Sequence, residues 1–292
     1  MCRLFGFRSV IASQVHRSLV AADNALAVQS RAHPDGWGVA HYIDGAPHVT
    51  KSATGAVDCA LFRRVSGIVA SETVLAHVRR ATQGALSVLN AHPFQYGRWV
   101  FAHNGDIPEF ARRRDALEAA IAPRLARFIL GDTDSERVFF LFLSELERLV
   151  APLSLAGDVP LPAVMQALGR TVARVREIAD TPDAPSPALL TLLVTNGELM
   201  VAHQGGRELY YSTWKRRCAD RDTCPSLARV CEAPVTSGRV NHLVIASEPL
   251  QGDNVWTALA PGQMVAVDAR MQLVVDPPVL GPDAGVELTA RA

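Results

Sequence analysis

The chain has 292 residues, 49% of them hydrophobic, with 29 Lys and Arg against 29 Asp and Glu and a formal charge of +0. That is ample material for a buried core, and the charge balance gives no electrostatic case for nucleic acid or an anionic membrane as partner. No stretch reaches the roughly 18 to 20 apolar residues that span a bilayer, and the start lacks a charged region followed by an apolar run, so the expectation is a cytoplasmic protein.

Taken in chain order, Cys2 to Ser9 reads as a short apolar strand. Residues 17–30 read as a helix, with Leu19, Ala22, Leu26 and Gln29 at helical spacing. Trp37 to Ile43 and Pro47 to Ser52 flank Asp44-Gly45 and predict a hairpin with a primed turn. Thr73 to Arg80 and Arg98 to His103 are further strands, the second stopping at Asn104-Gly105. Helices are predicted near 107–119 and 134–150; Asp132 or Thr133 caps the second, whose centre, Val138 to Phe142, is apolar all round and therefore buried.

The proline-rich stretch 150–190 holds a third helix, marked by Val164, Leu168, Val172 and Val175. Strands then resume at Ala188 to Thr195, Glu198 to His203 (after the turn Asn196-Gly197), Glu208 to Ser212, His242 to Ser247 and Met264 to Asp268. This order fits one α+β domain over residues 2–276 with sheets packed on each other and helices outside, followed by a loosely ordered tail at 277–292. The five cysteines (Cys2, Cys59, Cys218, Cys224, Cys231) form an odd set without CxxC pairs, which suits a reducing compartment. The spacing of the last three is wider than in common zinc sites, favouring free thiols over a metal.

Cys2 has two readings: a small apolar residue in a first strand, or, once Met1 is removed, a thiol and a free α-amine on one residue. The amine, with a pKa of about 7.7 to 8.0, would accept the thiol proton at neutral pH. Asn104-Gly105 is either an ordinary turn or a side-chain amide and a backbone N–H aimed at one oxygen, the makings of an oxyanion hole. Arg79 offers a planar fork for a carboxylate and Asp134 a charge for an ammonium; each, taken alone, also suits a surface or helix-start position.

Cys2-Arg3-Leu4-Phe5-Gly6, Asp35-Gly36-Trp37-Gly38, His77-Val78-Arg79-Arg80-Ala81-Thr82, Asn90-Ala91-His92-Pro93, His103-Asn104-Gly105 and Thr133-Asp134-Ser135-Glu136 occur in that order. The series resembles the glutaminase domain of class II glutamine amidotransferases, which are N-terminal-nucleophile hydrolases, most strongly over residues 2–150. The resemblance implies a four-layer αββα sandwich and cleavage of the γ-amide of glutamine or a γ-glutamyl compound. It implies Cys2 as nucleophile, Asn104 and Gly105 as oxyanion hole, Arg79 with Thr82 nearby at the substrate carboxylate, Asp134 at its amine, and His92 with Asp35-Gly36 shaping the pocket. Neither metal nor organic cofactor is implied. Arg80 departs from the tryptophan of sugar-phosphate-type relatives.

Val244 to Leu250 and Trp256 are similar to compact stand-alone members such as the ergothioneine-pathway γ-glutamyl hydrolase. Ser247-Glu248 there is either support for the site or a plain strand end. A stand-alone hydrolase is the first functional reading; a glutaminase subunit feeding ammonia to a separate synthase and a catalytically silent regulatory module are the alternatives.

Overall fold

The structure, a computed structural model, describes residues 2–150, 158–218, 221–235 and 237–276; the tail expected at 277–292 lies outside them. In chain order the strands are β1 Arg3–Gln14, β2 Trp37–Ile43, β3 Ala46–Ser52, β4 Ala70–Val78, β5 Phe94–Tyr96, β6 Trp99–Asp106, β7 Leu189–Thr195, β8 Met200–His203, β9 Tyr210–Ser212, β10 Gly238–Arg239, β11 His242–Ala246, β12 Thr257–Ala258, β13 Met264–Val267 and β14 Gln272–Val275. The helices are α1 Leu26–Gln29, α2 Ala60–Ile68, α3 Phe110–Ala120, α4 Pro123–Ala126, α5 Asp134–Leu149 and α6 Leu161–Ala179.

The strands form two seven-stranded sheets, ordered β12-β9-β11-β1-β4-β2-β3 and β10-β14-β13-β8-β7-β6-β5. Strand alternation sorts the apolar residues into three layers of core. Leu4, Ala40 and Leu75 of the first sheet meet Val100, Ala102, Leu193 and Met200 of the second between the sheets. On the far side of the first sheet, Phe5, Val39, Val74 and Ala76 pack with Leu19, Leu26, Phe62 and Val65. On the far side of the second, Phe101, Leu192 and Val194 pack with Phe139, Val164 and Leu168. The result is the expected α+β arrangement of helices, sheet, sheet and helices.

Gly6 shows how closely the sheets approach. It shares a face with Leu4, and a Cβ there would lie 2.8 Å from Leu193 Cδ2 and 3.1 Å from Met200 Sδ. Gly6→Val is therefore expected to overpack the inter-sheet core and cost about 3 kcal/mol, at the upper end of such substitutions, as read by denaturant unfolding.

Several predicted elements form as read. Asp44 and Gly45 take φ of 49° and 75°, the two positive values a primed hairpin turn needs. Thr133 caps α5, its Oγ1 accepting from the Glu136 N–H at 3.3 Å, and Val138 to Phe142 are all buried. Asn196 Oδ1 accepts from the N–H groups of Glu198 and Leu199, both at 3.0 Å, making the predicted turn.

Two expectations are corrected. The helix over 17–30 is broken into a π-turn at Arg17–Ala21 and the short α1. The break lies at Asp23-Asn24, where the Asn24 amide leaves the local backbone to bond Pro249 O (2.9 Å) and the Gln251 N–H (2.8 Å). The second correction concerns Asn104-Gly105, which does not end its strand: β6 runs on through both residues, paired with Thr191 and Leu190 of β7.

Candidate active site

Leu4 and Gly6 of β1 face the space between the sheets, and Cys2 continues that face at the strand's open end. Even-numbered residues of β6 face the same space, so Val100 and Ala102 enter the core and Asn104 follows them. The alternation of two strands in facing sheets thus brings the thiol and the carboxamide to one end of the sandwich.

The Cys2 thiol is buried, at 7% exposure. The Arg80 N–H points at Sγ from 3.4 Å and the Arg80 carbonyl lies 3.5 Å away. Burial pushes the thiol above its ordinary value; the Arg80 amide and the Arg79 charge pull it back, while Asp134 adds to the rise. The resting sulfur is therefore a thiol, and a base is needed to make it a nucleophile.

Beyond the end of β4 the backbone is clamped by the Asp35-Gly36 loop. Arg79 N–H donates to Gly36 O (2.7 Å), Asp35 N–H to Arg79 O (3.0 Å) and Ala81 N–H to Asp35 Oδ2 (2.8 Å). Arg79 is 2% exposed. Its Nη1 donates to Ala85 O (3.2 Å) and its Nη2 to Gln83 O (2.7 Å), so the guanidinium holds the loop that follows it. Burial lowers the guanidinium, and the charges of Cys2, Asp35 and Asp134 raise it. Thr82 is exposed on that loop.

Asn90 stitches this loop to the start of α5. Its Nδ2 donates to Ala85 O (2.9 Å) and its Oδ1 accepts from the Asp132 N–H (2.8 Å). The Glu136 carboxylate receives the N–H groups of Leu130 (3.1 Å) and Gly131 (2.7 Å), and buried Arg137 donates to Gly131 O and Thr133 O. These bonds fix Asp134, the first residue of α5. Its Oδ2 accepts from the Ile107 N–H (2.9 Å) and its Oδ1 from the Ser135 N–H (2.7 Å), yet burial still raises the carboxyl.

Asn104 Nδ2 lies 3.4 Å from Ser247 Oγ, a long contact, and Oδ1 has no partner among the described residues. Ser247 Oγ also accepts from the Leu4 N–H (2.9 Å), and the Ser247 N–H donates to Leu4 O (3.1 Å), tying β11 to the strand that carries Cys2. Ser247 thus touches both the strand that carries Cys2 and the Asn104 amide, while Glu248 pairs with Arg3 at 3.3 Å. Gly105 admits no side chain, because a Cβ would run into the Leu189 carbonyl of β7 and the His103 ring.

His92 stands apart from these groups as packing. It is buried, its ring 4.2 Å from that of His77 and 4.7 Å from that of Phe94, and burial holds it well below its ordinary value and neutral. Its carbonyl lies where a Cβ on Gly38 would fall, so glycine is required there.

Cys2, Arg79 and Asp134 are brought within electrostatic reach of one another, and Asn104 joins Cys2 through Ser247 and Leu4. Asn90, Ser135 and Gln83, whose Nε2 donates to Asp106 Oδ1 at 3.1 Å, were not marked by sequence reasoning. Asn90 and Ser135 did lie inside the quoted motifs. Among the described residues no group of three or more His, Cys, Asp or Glu is placed to hold a metal, and no helix is long and apolar enough to cross a membrane.

A family model described as glutamine amidotransferases class-II matches residues 1–279. A Saccharomyces cerevisiae protein named probable glutamine amidotransferase DUG3 is 31% identical over 82% of this chain and 71% of its own length. A Mycobacterium tuberculosis gamma-glutamyl-hercynylcysteine sulfoxide hydrolase is 26% identical over 92% of this chain and 94% of its own. In fold, the chain is similar to a glutamine aminotransferase class-II domain protein from Silicibacter pomeroyi, with a TM-score of 0.64 and 22% identity over 95% of this chain and 98% of that one.

Proposed function

The chain belongs to the class II glutamine amidotransferases, and on that premise we propose that it hydrolyses the γ-amide of glutamine or a γ-glutamyl conjugate through a thioester on Cys2. The observation that carries this reading is a buried thiol within electrostatic reach of a buried arginine and a buried aspartic acid side chain. Such a pair matches the α-carboxylate and α-ammonium of an amino-acid head group.

In this mechanism the α-amine of Cys2, exposed by removal of Met1, takes the thiol proton, and Sγ attacks the γ-carbonyl carbon. The negative charge passes to the carbonyl oxygen, which is held by Asn104 Nδ2 and the Gly105 N–H. The C–N bond breaks as the Cys2 ammonium returns its proton to the leaving amine. Water, deprotonated by the same amine, then releases glutamate and restores the thiol. Arg79 grips the carboxylate, Thr82 lies on the loop that Arg79 holds, Asp134 grips the ammonium and His92 supports the pocket from within the core.

The long Asn104–Ser247 contact suits this role, since the amide gives up little when it turns to an oxyanion. Asn104→Ala is expected to lower kcat about 10²- to 10³-fold while KM changes little, as for loss of one oxyanion donor. An equal rise in KM with kcat preserved would assign Asn104 to ground-state binding instead. The reading as a whole is tested by a hydrolysis panel of glutamine, glutathione and other γ-glutamyl compounds on protein whose N-terminus is checked by intact mass. Cys2-dependent turnover of any member supports it; no turnover across the panel refutes it.

A further inference from the structure

A count of hydrogens around Asp134 leads beyond its contact with substrate. His103 Nε2 lies 2.7 Å from the Leu189 carbonyl, and a carbonyl only accepts, so Nε2 carries a hydrogen. His103 Nδ1 lies 2.9 Å from Ser135 Oγ, and Ser135 Oγ lies 3.1 Å from Asp134 Oδ1. A neutral imidazole, a hydroxyl and a carboxylate supply one hydrogen for these two contacts. If the serine donates to Asp134, Nδ1 faces Oγ without a hydrogen between them; if it donates to Nδ1, Oδ1 faces Oγ bare. One additional proton satisfies both contacts, sitting either on Nδ1 or on the Asp134 carboxyl. All three side chains are buried, so an unsatisfied contact would cost more than at the surface.

We propose that His103 and Asp134 share one proton through Ser135, and that the ammonium of the amino-acid substrate takes that proton's place. His103 and Ser135 are then positioning residues for Asp134. The inference rests on the reading that Asp134 receives the ammonium. The charge balances: the carboxylate is neutralised by the shared proton before binding and by the ammonium after it, and the proton leaves to solvent.

The neighbouring titratable groups fit this exchange. Burial disfavours charge on Asp134, His103 favours it, and Asp106, on the same strand as His103, disfavours it. Arg79 and Cys2 face Asp134 from the loop beyond β4 and from the start of β1. His77 is pushed down to about 3 and His92 well below its ordinary value, mainly by burial, so neither competes for the proton at neutral pH.

The test is calorimetry of L-glutamine binding to the Cys2→Ala protein at pH 7, in two buffers of different ionisation enthalpy. Release of about half to one proton per glutamine is expected, and it should vanish in Cys2→Ala/Ser135→Ala and return in Cys2→Ala/Ser135→Thr. With Cys2 in place, Ser135→Ala should raise KM about tenfold and change kcat less than about threefold. Binding without proton release, or release that persists without the Ser135 hydroxyl, overturns the proposal. If Ser135→Ala does not fold, the first arm decides alone. Failure of glutamine to bind at all instead counts against the parent reading of the site.

Discussion

Cys2→Ala is expected to bring hydrolysis of every γ-glutamyl substrate down to the assay background, a loss of up to about 10⁶-fold on the scale set by removal of catalytic nucleophiles elsewhere. The neighbouring side chains are a guanidinium, a carboxyl, a carboxamide and the Ser247 hydroxyl, none of them a thiol. The fold should survive. The substitution removes one buried sulfur that receives a single backbone N–H at 3.4 Å, a change worth roughly 1 kcal/mol on the area scale. Thermal unfolding should therefore move little, and glutamine should still bind, because Arg79 and Asp134 keep their own partners: Ala85 and Gln83 carbonyls for one, Ile107 and Ser135 amides for the other. Activity measured beside unfolding and binding separates the chemistry from the scaffold. If the alanine protein turns over glutamine as fast as the parent, the thioester route is wrong.

Much of this site could be read from the chain because its parts are local. The cap of α5 depends on Thr133 and Glu136, three residues apart, and that spacing is visible in the sequence. Along β1 and β6, by contrast, alternation puts Phe5 and Phe101 in outer cores and Leu4 and Ala102 in the inner one, a division that strands apolar on both faces do not display in sequence. What could not be read depends on partners far along the chain. Asn-Gly is a strong turn signal, and at Asn196-Gly197 the turn forms. At Asn104-Gly105 the same pair is drawn into a strand by pairing with β7, and Gly105 is required because the Leu189 carbonyl occupies the place of a side chain. No propensity at 104 and 105 contains that information. Ser247 stands between two readings for the same reason: its hydroxyl gains partners only because β11 lies beside β1, a neighbour distant in sequence. The very short β10 and β12 escaped for another reason, since two residues show no period.

Blocking the nitrogen of Cys2 is expected to have the second largest effect. In a form with a leucine inserted directly before Cys2, that nitrogen becomes an amide, which neither accepts the thiol proton nor activates water. Loss of a general base typically costs 10²- to 10⁴-fold, and kcat/KM near pH 7 should fall by about that factor. The pH profile gives the sharper signature. With a free amine, kcat/KM should climb as pH rises through about 7.7 to 8.0, where the amine loses its proton, and then level. Without it, activity depends on spontaneous ionisation of the thiol, and burial has pushed that thiol above its ordinary value. Its thiolate fraction at neutral pH is small and keeps growing as the solution becomes more alkaline. The blocked form should therefore be slowest relative to the free form near neutrality, and the ratio between them should shrink steadily at higher pH. Rates taken from pH 6 to 10 on both forms, each verified by intact mass, check this directly. Two superimposable profiles would mean that some other group takes the proton, and the search for it would turn to the charged residues beside Sγ.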